Sequence, residues 1–337
     1  MKNPRVLLYD TTAYFPSSPT LLEGMLDLDL RVEFFDEAKY LRPRLISISR
    51  RLFSYSRFLF NQLNRDFVRR AAETKPDLIV VVKGSYLRAS AIREAKRQSG
   101  ACLVNFATDD PFNRAVSTPD LLDAVKEYDL YLSTKRNVLS DLVRIGAKRA
   151  AFIHFGYKPT VHFPQAPTTE QQQKRFGAEV AFIGGADRDR IPYFERLVHE
   201  KPRGVALYGG YWGTVRTLRR FSRGIVQGQD YRMAQSGARI VVALVRAANR
   251  DGHAMRTFEI PACGAFMLAE RTDEHADLFI EGKEAAFFNG VEEFIDKIDY
   301  YLNHEDERLR IAKSGHERIV KGNHRYADRV SELLSML

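Results

Sequence analysis

The stretch RDGHAMRTFEIPACGAFMLAE, Arg250 to Glu270, holds the residues best suited to chemistry. A charged, His-containing loop runs into an apolar segment, and one acid, Glu259, sits between Phe258 and Ile260 where the segment turns apolar. The spacing puts Glu259 in the first turn of a helix that follows a strand. A carboxylate there can accept two hydroxyls at once, as a ribose presents them. Neighbouring N–H groups, with His253 and Arg256, can hold phosphates. Thr257 and Phe258 lie beside it at the head of the same helix. Asp251, eight positions earlier, gives the loop a second acid. On the residues alone a helix-start glutamate favoured by the dipole accounts for Glu259 equally well.

Two further loops offer donors. In FIGGADRDR, Gly184 and Gly185 let backbone approach an anion, and Arg188 and Arg190 can add forked hydrogen bonds to phosphate oxygens. A plain glycine turn with solvated arginines is the competing reading. In YGGYWG, Tyr208 and Gly209 begin a turn whose aromatic faces suit a stacked base or, equally, a packed core. On the other half of the chain Asp109 and Asp110 end one strand and His154 another. Any of the three could act on a hydroxyl, although the Asp pair before Pro111 also reads as a helix cap. Neither loop matches GxGxxG, and the loop after the first strand has no glycine, which counts against a dinucleotide enzyme.

These residues need strands to carry them. RVLLYD, RVEFFD, PDLIVVVKG, CLVNFATDDP, DLYLST and AAFIHFG read as strands separated by helical spacing, and EVAFIGG, GVALYGG, ARIVVALV, AFMLAE and AAFF as a second such series. LIVVV is the continuous β-branched run expected of a strand covered on both faces. Strand and helix alternate throughout, so the fold class is α/β with parallel sheets. The boundaries read as an N-terminal Rossmann-like domain over 1–157 and a proline-containing, polar linker over 158–177. A second Rossmann-like domain over 178–322 and a C-terminal amphipathic helix over 323–337 complete the chain. From Leu41 to Arg70 it is helical, basic and rich in aromatics, either an ordinary amphipathic helix or one that rests on an anionic membrane through Arg50, Arg51 and Arg57.

Composition sets the class. The 337 residues are 45% hydrophobic and 28% charged, as in a globular protein, and the formal charge of +9 suits an anionic partner. The two cysteines, far apart and in apolar surroundings, fit a reducing cytoplasm and no metal-ligand spacing. The longest apolar runs fall far short of the roughly 20 residues that span a bilayer.

The block AN…RDGH…RTFEIPACGAFMLAERTDEHADLFIEGKEAAFF resembles the C-terminal nucleotide-sugar site of group 1 glycosyltransferases of the GT-B type, and more narrowly the CgeB-like, spore-maturation-type branch. FIGGADRDR resembles that branch's phosphate loop, VALYGGYW its next strand and turn, NFATDDP its N-terminal aspartate loop and LVRIGAKRAAFIHFGYKPTVHFP its entry to the hinge. Together these cover about two thirds of the chain. The resemblance implies two Rossmann-like domains facing each other across a cleft, no cofactor, and no metal. It implies a UDP-, GDP- or dTDP-sugar donor held by the C-terminal domain and a final helix that crosses back onto the N-terminal domain. In related retaining enzymes two acids flank a seven-residue gap. On this chain the second, which binds ribose, falls on Glu259. The first, near the donor sugar, falls on Asp251, an aspartate where those relatives carry glutamate.

The expected activity is therefore sugar transfer from a nucleotide diphosphate to a cell-surface glycan, glycolipid or related acceptor, by a cytoplasmic protein that touches the inner face of the membrane at most peripherally. A GT-B protein that binds nucleotide or sugar without turnover is the alternative. Nucleic acid ranks last, for want of a helix-turn-helix, zinc or stacking-platform signature.

Overall fold

A computed structural model describes residues 3–12, 20–41, 60–201 and 204–337. The chain divides into two compact units, Met1–His154 with Ala248–Arg250 and Tyr326–Leu337, and Phe155–Ala247 with Asp251–Arg325.

The first unit is built on β1 (Arg5–Asp10), β2 (Arg31–Asp36), β3 (Leu78–Val82), β4 (Cys102–Ala107), β5 (Leu130–Ser133) and β6 (Ala150–Phe152). They form one sheet in the order β2-β1-β3-β4-β5-β6, with every pairing parallel. Both faces are covered, which is why β3 is apolar at every position. Ile79 and Val81 pack with Phe67 of the helix Asn61–Thr74 and Ile92 of the helix Ala89–Ser99. Leu78, Val80 and Val82 face the other way, against Leu21 and Met25 of the helix Thr20–Leu26 and Val330 of the helix Tyr326–Ser335. The two-residue alternation of a strand thus sorts one continuous apolar run into two cores. The final helix lies so close to Thr20–Leu26 that a Cβ on Gly24 would come within 2.5 Å of the Tyr326 carbonyl carbon. Of the basic-aromatic stretch 41–70, residues 42–59, with Arg50, Arg51 and Arg57, lie outside the described residues.

The second unit carries β7 (Ala178–Ile183), β8 (Val205–Tyr208), β9 (Ala238–Ala243), β10 (Met267–Glu270) and β11 (Ala286–Phe288), in the parallel order β11-β10-β9-β7-β8. Val180, Phe182, Ile240 and Val242 point into one core with Phe194 and Trp212, whereas Val241 and Ala243 pack against Phe258 and Ile260. The stretch 158–177 is no bare connector. It belongs to the second unit, and its helix Glu170–Phe176, started by a capping box of Thr169 and Gln172, buries Phe176 in that unit's core. Prolines mark where its backbone turns, but the side chains it contributes to the core decide where it packs.

In each sheet the strand order reverses beside the first strand, between β1 and β3 in one unit and between β7 and β9 in the other. Chain connections leave such a switch point in opposite directions, which opens a crevice at the carboxyl ends of the strands. The loops after β7 and β9 are the ones that carry Gly184–Arg190 and Arg246–Arg256.

Candidate functional site

The loop after β7 is held tightly against the turn after β8. Gly184 donates its N–H to the Tyr208 carbonyl at 2.8 Å and Ala186 to the Gly210 carbonyl at 2.9 Å. Gly209, at φ 127°, comes so near that an added Cβ would sit 2.4 Å from the Gly184 oxygen. Trp212 Nε1 closes the contact on the same oxygen at 2.7 Å. This corrects part of the glycine-loop reading. The glycines are required for close approach of two backbones, and the Gly184 N–H is already engaged by protein. Tyr208 is also corrected. It is fully buried, with its hydroxyl donating to the Arg175 carbonyl at 3.1 Å, so it offers no face to a base.

Positive charge gathers beside this loop. Arg190 is buried, and its Nη1 donates to the Gly185 carbonyl at 3.2 Å. Its guanidinium and that of Arg256 both lie over the Phe182 ring, 5.3 and 5.6 Å from the centroid. Arg246, which follows β9, donates Nε to Asp187 Oδ2 at 2.7 Å and so ties the two loops together. Burial, then Arg256 and Arg246, press the Arg190 pKa down to about 9 against the opposing pull of Asp187 and Asp251. Nε of both Arg190 and Arg256 is buried without a partner. Glu270, at the end of β10, is pushed up by burial and held down by the Val245 N–H and Arg190. A guanidinium that is desolvated and crowded by two others gains most from an anion beside it. Arg188 is exposed.

Glu259 lies in the first turn of the helix Arg256–Ala262 and is 9% exposed. Tyr231 donates its hydroxyl to Oε2 at 2.5 Å, and His162 Nε2 stands 3.6 Å from Oε1. His162 accepts the Lys158 N–H on Nδ1 at 3.1 Å, which leaves the proton on the nitrogen facing Glu259. Burial and the Glu259 charge hold the Tyr231 phenol well above its ordinary pKa, so it stays a donor. Asp251 Oδ2 accepts the Arg246 N–H at 3.2 Å. The other residues named in this stretch serve the scaffold, which corrects their assignment to a ligand. His253 is fully buried: its Nε2 accepts the Phe155 N–H at 3.1 Å and its Nδ1 meets Glu274 Oε2. Thr257 Oγ1 accepts the Ala254 N–H at 3.1 Å and pairs with His275 Nε2 at 2.9 Å. Phe258 is core, edge-on to the His253 ring.

In the first unit Asp110 is no free base. Its carboxylate accepts Arg250 Nε at 2.6 Å and Nη2 at 3.0 Å, and also the Phe112 N–H at 2.9 Å, in a buried position. Asp141 takes the third arm of Arg250 at 2.6 Å. Asp109 is placed differently. Lys83 Nζ lies 2.6 Å from its Oδ2 and Asn249 Nδ2 donates to Oδ1 at 3.2 Å, with both Lys83 and Asp109 partly open to solvent. His154 is half-buried, with its ring 4.7 Å from that of Phe152. Near the switch point of this sheet a second acid emerges that the sequence did not advertise. Glu37 accepts the Tyr9 hydroxyl at 2.5 Å. Burial raises its pKa to about 7, with the Tyr9 hydrogen bond and Lys83 opposing and Asp10 and Asp36 adding to the rise.

Arg246 could have been found. It directly follows ARIVVALV and therefore stands at the carboxyl end of a strand, the same rule that singled out Asp109. Tyr231 and His162 carry no local signal, because they reach Glu259 from a helix 28 residues away in sequence and from the 158–177 stretch. Among the described residues no group of three or more His, Cys, Asp or Glu side chains could hold a metal ion.

Residues 190–335 match the family described as glycosyl transferase-like. The chain is 25% identical to spore protein CgeB of Bacillus subtilis (strain 168), over 63% of this chain and 68% of that one. Among solved structures it is similar to Anabaena Alr3699/HepE in complex with UDP and glucose, at 13% identity and a TM-score of 0.64 over 99% of this chain and 100% of the other. The same protein is also known in complex with UDP-glucose. Sucrose-phosphate synthase from Thermosynechococcus elongatus is similar at 13% identity and a TM-score of 0.69, over 98% of each chain. Residues 190–335 thus match the glycosyl transferase-like family, and the chain has the two-sheet α/β architecture of the GT-B fold and is similar to CgeB.

Proposed function

We propose that the chain moves a sugar from a UDP-, GDP- or dTDP-sugar to a glycan, glycolipid or related acceptor, without a metal. The observation that carries the reading is the trio Arg190, Arg246 and Arg256 beside the β7 loop, one of them buried with its pKa pressed down. In the transfer, the bond between the sugar's anomeric carbon and the diphosphate oxygen breaks, and its electron pair stays on the diphosphate. A bond to the acceptor oxygen forms, and the acceptor's proton passes to the departing diphosphate, which carries the electron pair. Guanidiniums fixed in place before reaction stabilise the charge that grows on the leaving group, the part a divalent cation plays elsewhere. Glu259, oriented by Tyr231 and His162, has lone pairs left for ribose hydroxyls. Asp251 is the acid on the sugar side, and its spacing from Glu259 supports retention of configuration. Asp109, with Lys83 beside it, and the half-buried His154 are the acceptor-side groups that remain once Asp110 is committed to Arg250. Among the described residues no helix is long and apolar enough to cross a membrane.

The test is turnover in the presence of EDTA. Release of nucleoside diphosphate from one donor, with the product's anomeric configuration read by NMR, should proceed undiminished and with retention. Binding of that donor with no turnover against a broad set of cell-envelope acceptors would support the alternative, a binding protein on the same fold.

A further inference from the structure

The stretch between β8 and the helix Gly228–Ser236 carries Arg216, Arg219, Arg220 and Arg223, and the sequence has no acid between Glu200 and Asp230. It is folded rather than loose. Trp212, Leu218 and Phe221 are buried in the second unit's core, and two single turns, Trp212–Thr214 and Arg219–Phe221, are fixed by backbone hydrogen bonds. Its far end returns to the sheet, where Arg223 donates its N–H to the Leu207 carbonyl at 2.9 Å and Gly209 donates to the Gly224 carbonyl at 2.8 Å. With these anchors inside, the charged side chains left outside are all cationic. Arg216, Arg219 and Arg220 are exposed, and no carboxylate among the described residues pairs with them. Arg220 stacks on Phe221, 4.7 Å from the ring centroid. Tyr211 is 77% and Ile225 70% exposed, flanking the arginines in sequence. Arg223 is also exposed, but its guanidinium is engaged by the Arg175 and Gly177 carbonyls.

We propose that the stretch 211–225, through its exposed Tyr211, Arg216, Arg219, Arg220 and Ile225, docks the second unit on an anionic lipid bilayer. Charge alone would suit any polyanion. Exposed Ile225 selects the lipid surface, because an aliphatic group gains by entering the headgroup boundary and gains nothing on a phosphodiester backbone, and the amphipathic ring of Tyr211 suits the same boundary. Each arginine at an anionic surface strengthens partitioning by about fivefold, so the three together contribute on the order of a hundredfold. The contact is reversible and weakens with salt.

Cosedimentation of the full chain with phosphatidylcholine vesicles, with and without phosphatidylglycerol, tests the proposal. The wild type should pellet with the anionic vesicles only. Arg216→Glu/Arg219→Glu/Arg220→Glu should lose at least tenfold in partitioning, and Ile225→Ser should lose a few-fold without any change in charge. Stabilisation by UDP is measured on the same samples and should be equal in all variants, which also shows them folded. Equal pelleting of the triple variant and the wild type overturns the proposal, and binding removed only by changing Arg50, Arg51 and Arg57 does so too. Loss of UDP stabilisation in a triple variant of unchanged circular dichroism would reassign these arginines to the nucleotide. Binding to a single-stranded oligonucleotide tighter than to vesicles, and indifferent to Ile225, would make nucleic acid the partner instead.

Discussion

Replacing Glu37 by Gln should make the first unit more stable at pH 8 than the wild type, relative to the same comparison at pH 4.5. Glu37 is buried against Tyr9, Asp10 and Asp36, and its carboxyl is raised from 4.5 to about 7. A group whose folded pKa exceeds its unfolded one favours the folded state fully below the unfolded value, and that contribution is lost as pH climbs through the folded value. The window here runs from pH 4.5 to about 7. At 1.36 kcal/mol per pH unit the contribution lost is about 3 kcal/mol. Gln keeps the shape and still accepts the Tyr9 hydroxyl, but it does not ionise, so the variant escapes this loss. Other carboxylates titrate in the same range, but they are common to both proteins and cancel in the difference. Hydrogen exchange of the β1 and β2 amides reports the stability of this unit alone, which avoids assuming that both units unfold together. The stability difference between variant and wild type should grow by about 3 kcal/mol across the window. A difference that stays flat from pH 4.5 to 8 would refute the reasoning, since Glu37 would then titrate as an ordinary carboxyl. Tyr9→Phe supplies the internal check: it removes the hydrogen bond that favours the carboxylate and should move the midpoint higher.

Other perturbations follow from the same contacts. Gly24→Ala places a methyl 2.5 Å from the Tyr326 carbonyl carbon, so the helix Tyr326–Ser335 must shift, and its amides should lose exchange protection while those of β9 keep theirs. Arg250→Ala leaves the buried Asp110 carboxylate with only the Phe112 N–H and should cost about 2 kcal/mol, a value reduced by the partial exposure of the arginine. Urea unfolding of the first unit measures it. Tyr231→Phe removes the hydroxyl that holds Glu259 and should weaken nucleotide binding several-fold in calorimetry without unfolding the chain. Gly209→Ala sets a Cβ against the Gly184 oxygen at 2.4 Å and should reduce binding through the displaced β7 loop.

The sequence carried the fold class well because the physics is local and repeated. Alternation of β-branched runs such as LIVVV with helical spacing names two parallel sheets, and the structure has them. What it could not supply was the direction in which side chains at one site face. His253, Thr257 and Phe258 neighbour Glu259 in sequence, yet a helix turns successive residues by a large angle, and these three point inward. Asp109 and Asp110 are adjacent, yet one is clamped by Arg250 while the other meets Lys83. A proline-rich stretch looked like a connector because its four buried residues, Lys158, His162, Pro167 and Phe176, are of mixed type and irregular spacing and form no apolar pattern. Glu37 gave no signal, since its pKa depends on Tyr9 and Asp10 from another strand.

The central claim is an arginine-held diphosphate with its ribose on Glu259. It is tested most directly by thermal unfolding with EDTA against UDP, GDP, dTDP, ADP, CMP and NAD, on the wild type, Glu259→Ala and Arg190→Gln. At a hundredfold excess over Kd, one nucleoside diphosphate should raise the wild-type Tm by roughly 5 °C or more, and both variants, still folded, should lose most of the rise. No rise with any diphosphate, or the same rise in all three proteins, would contradict the account.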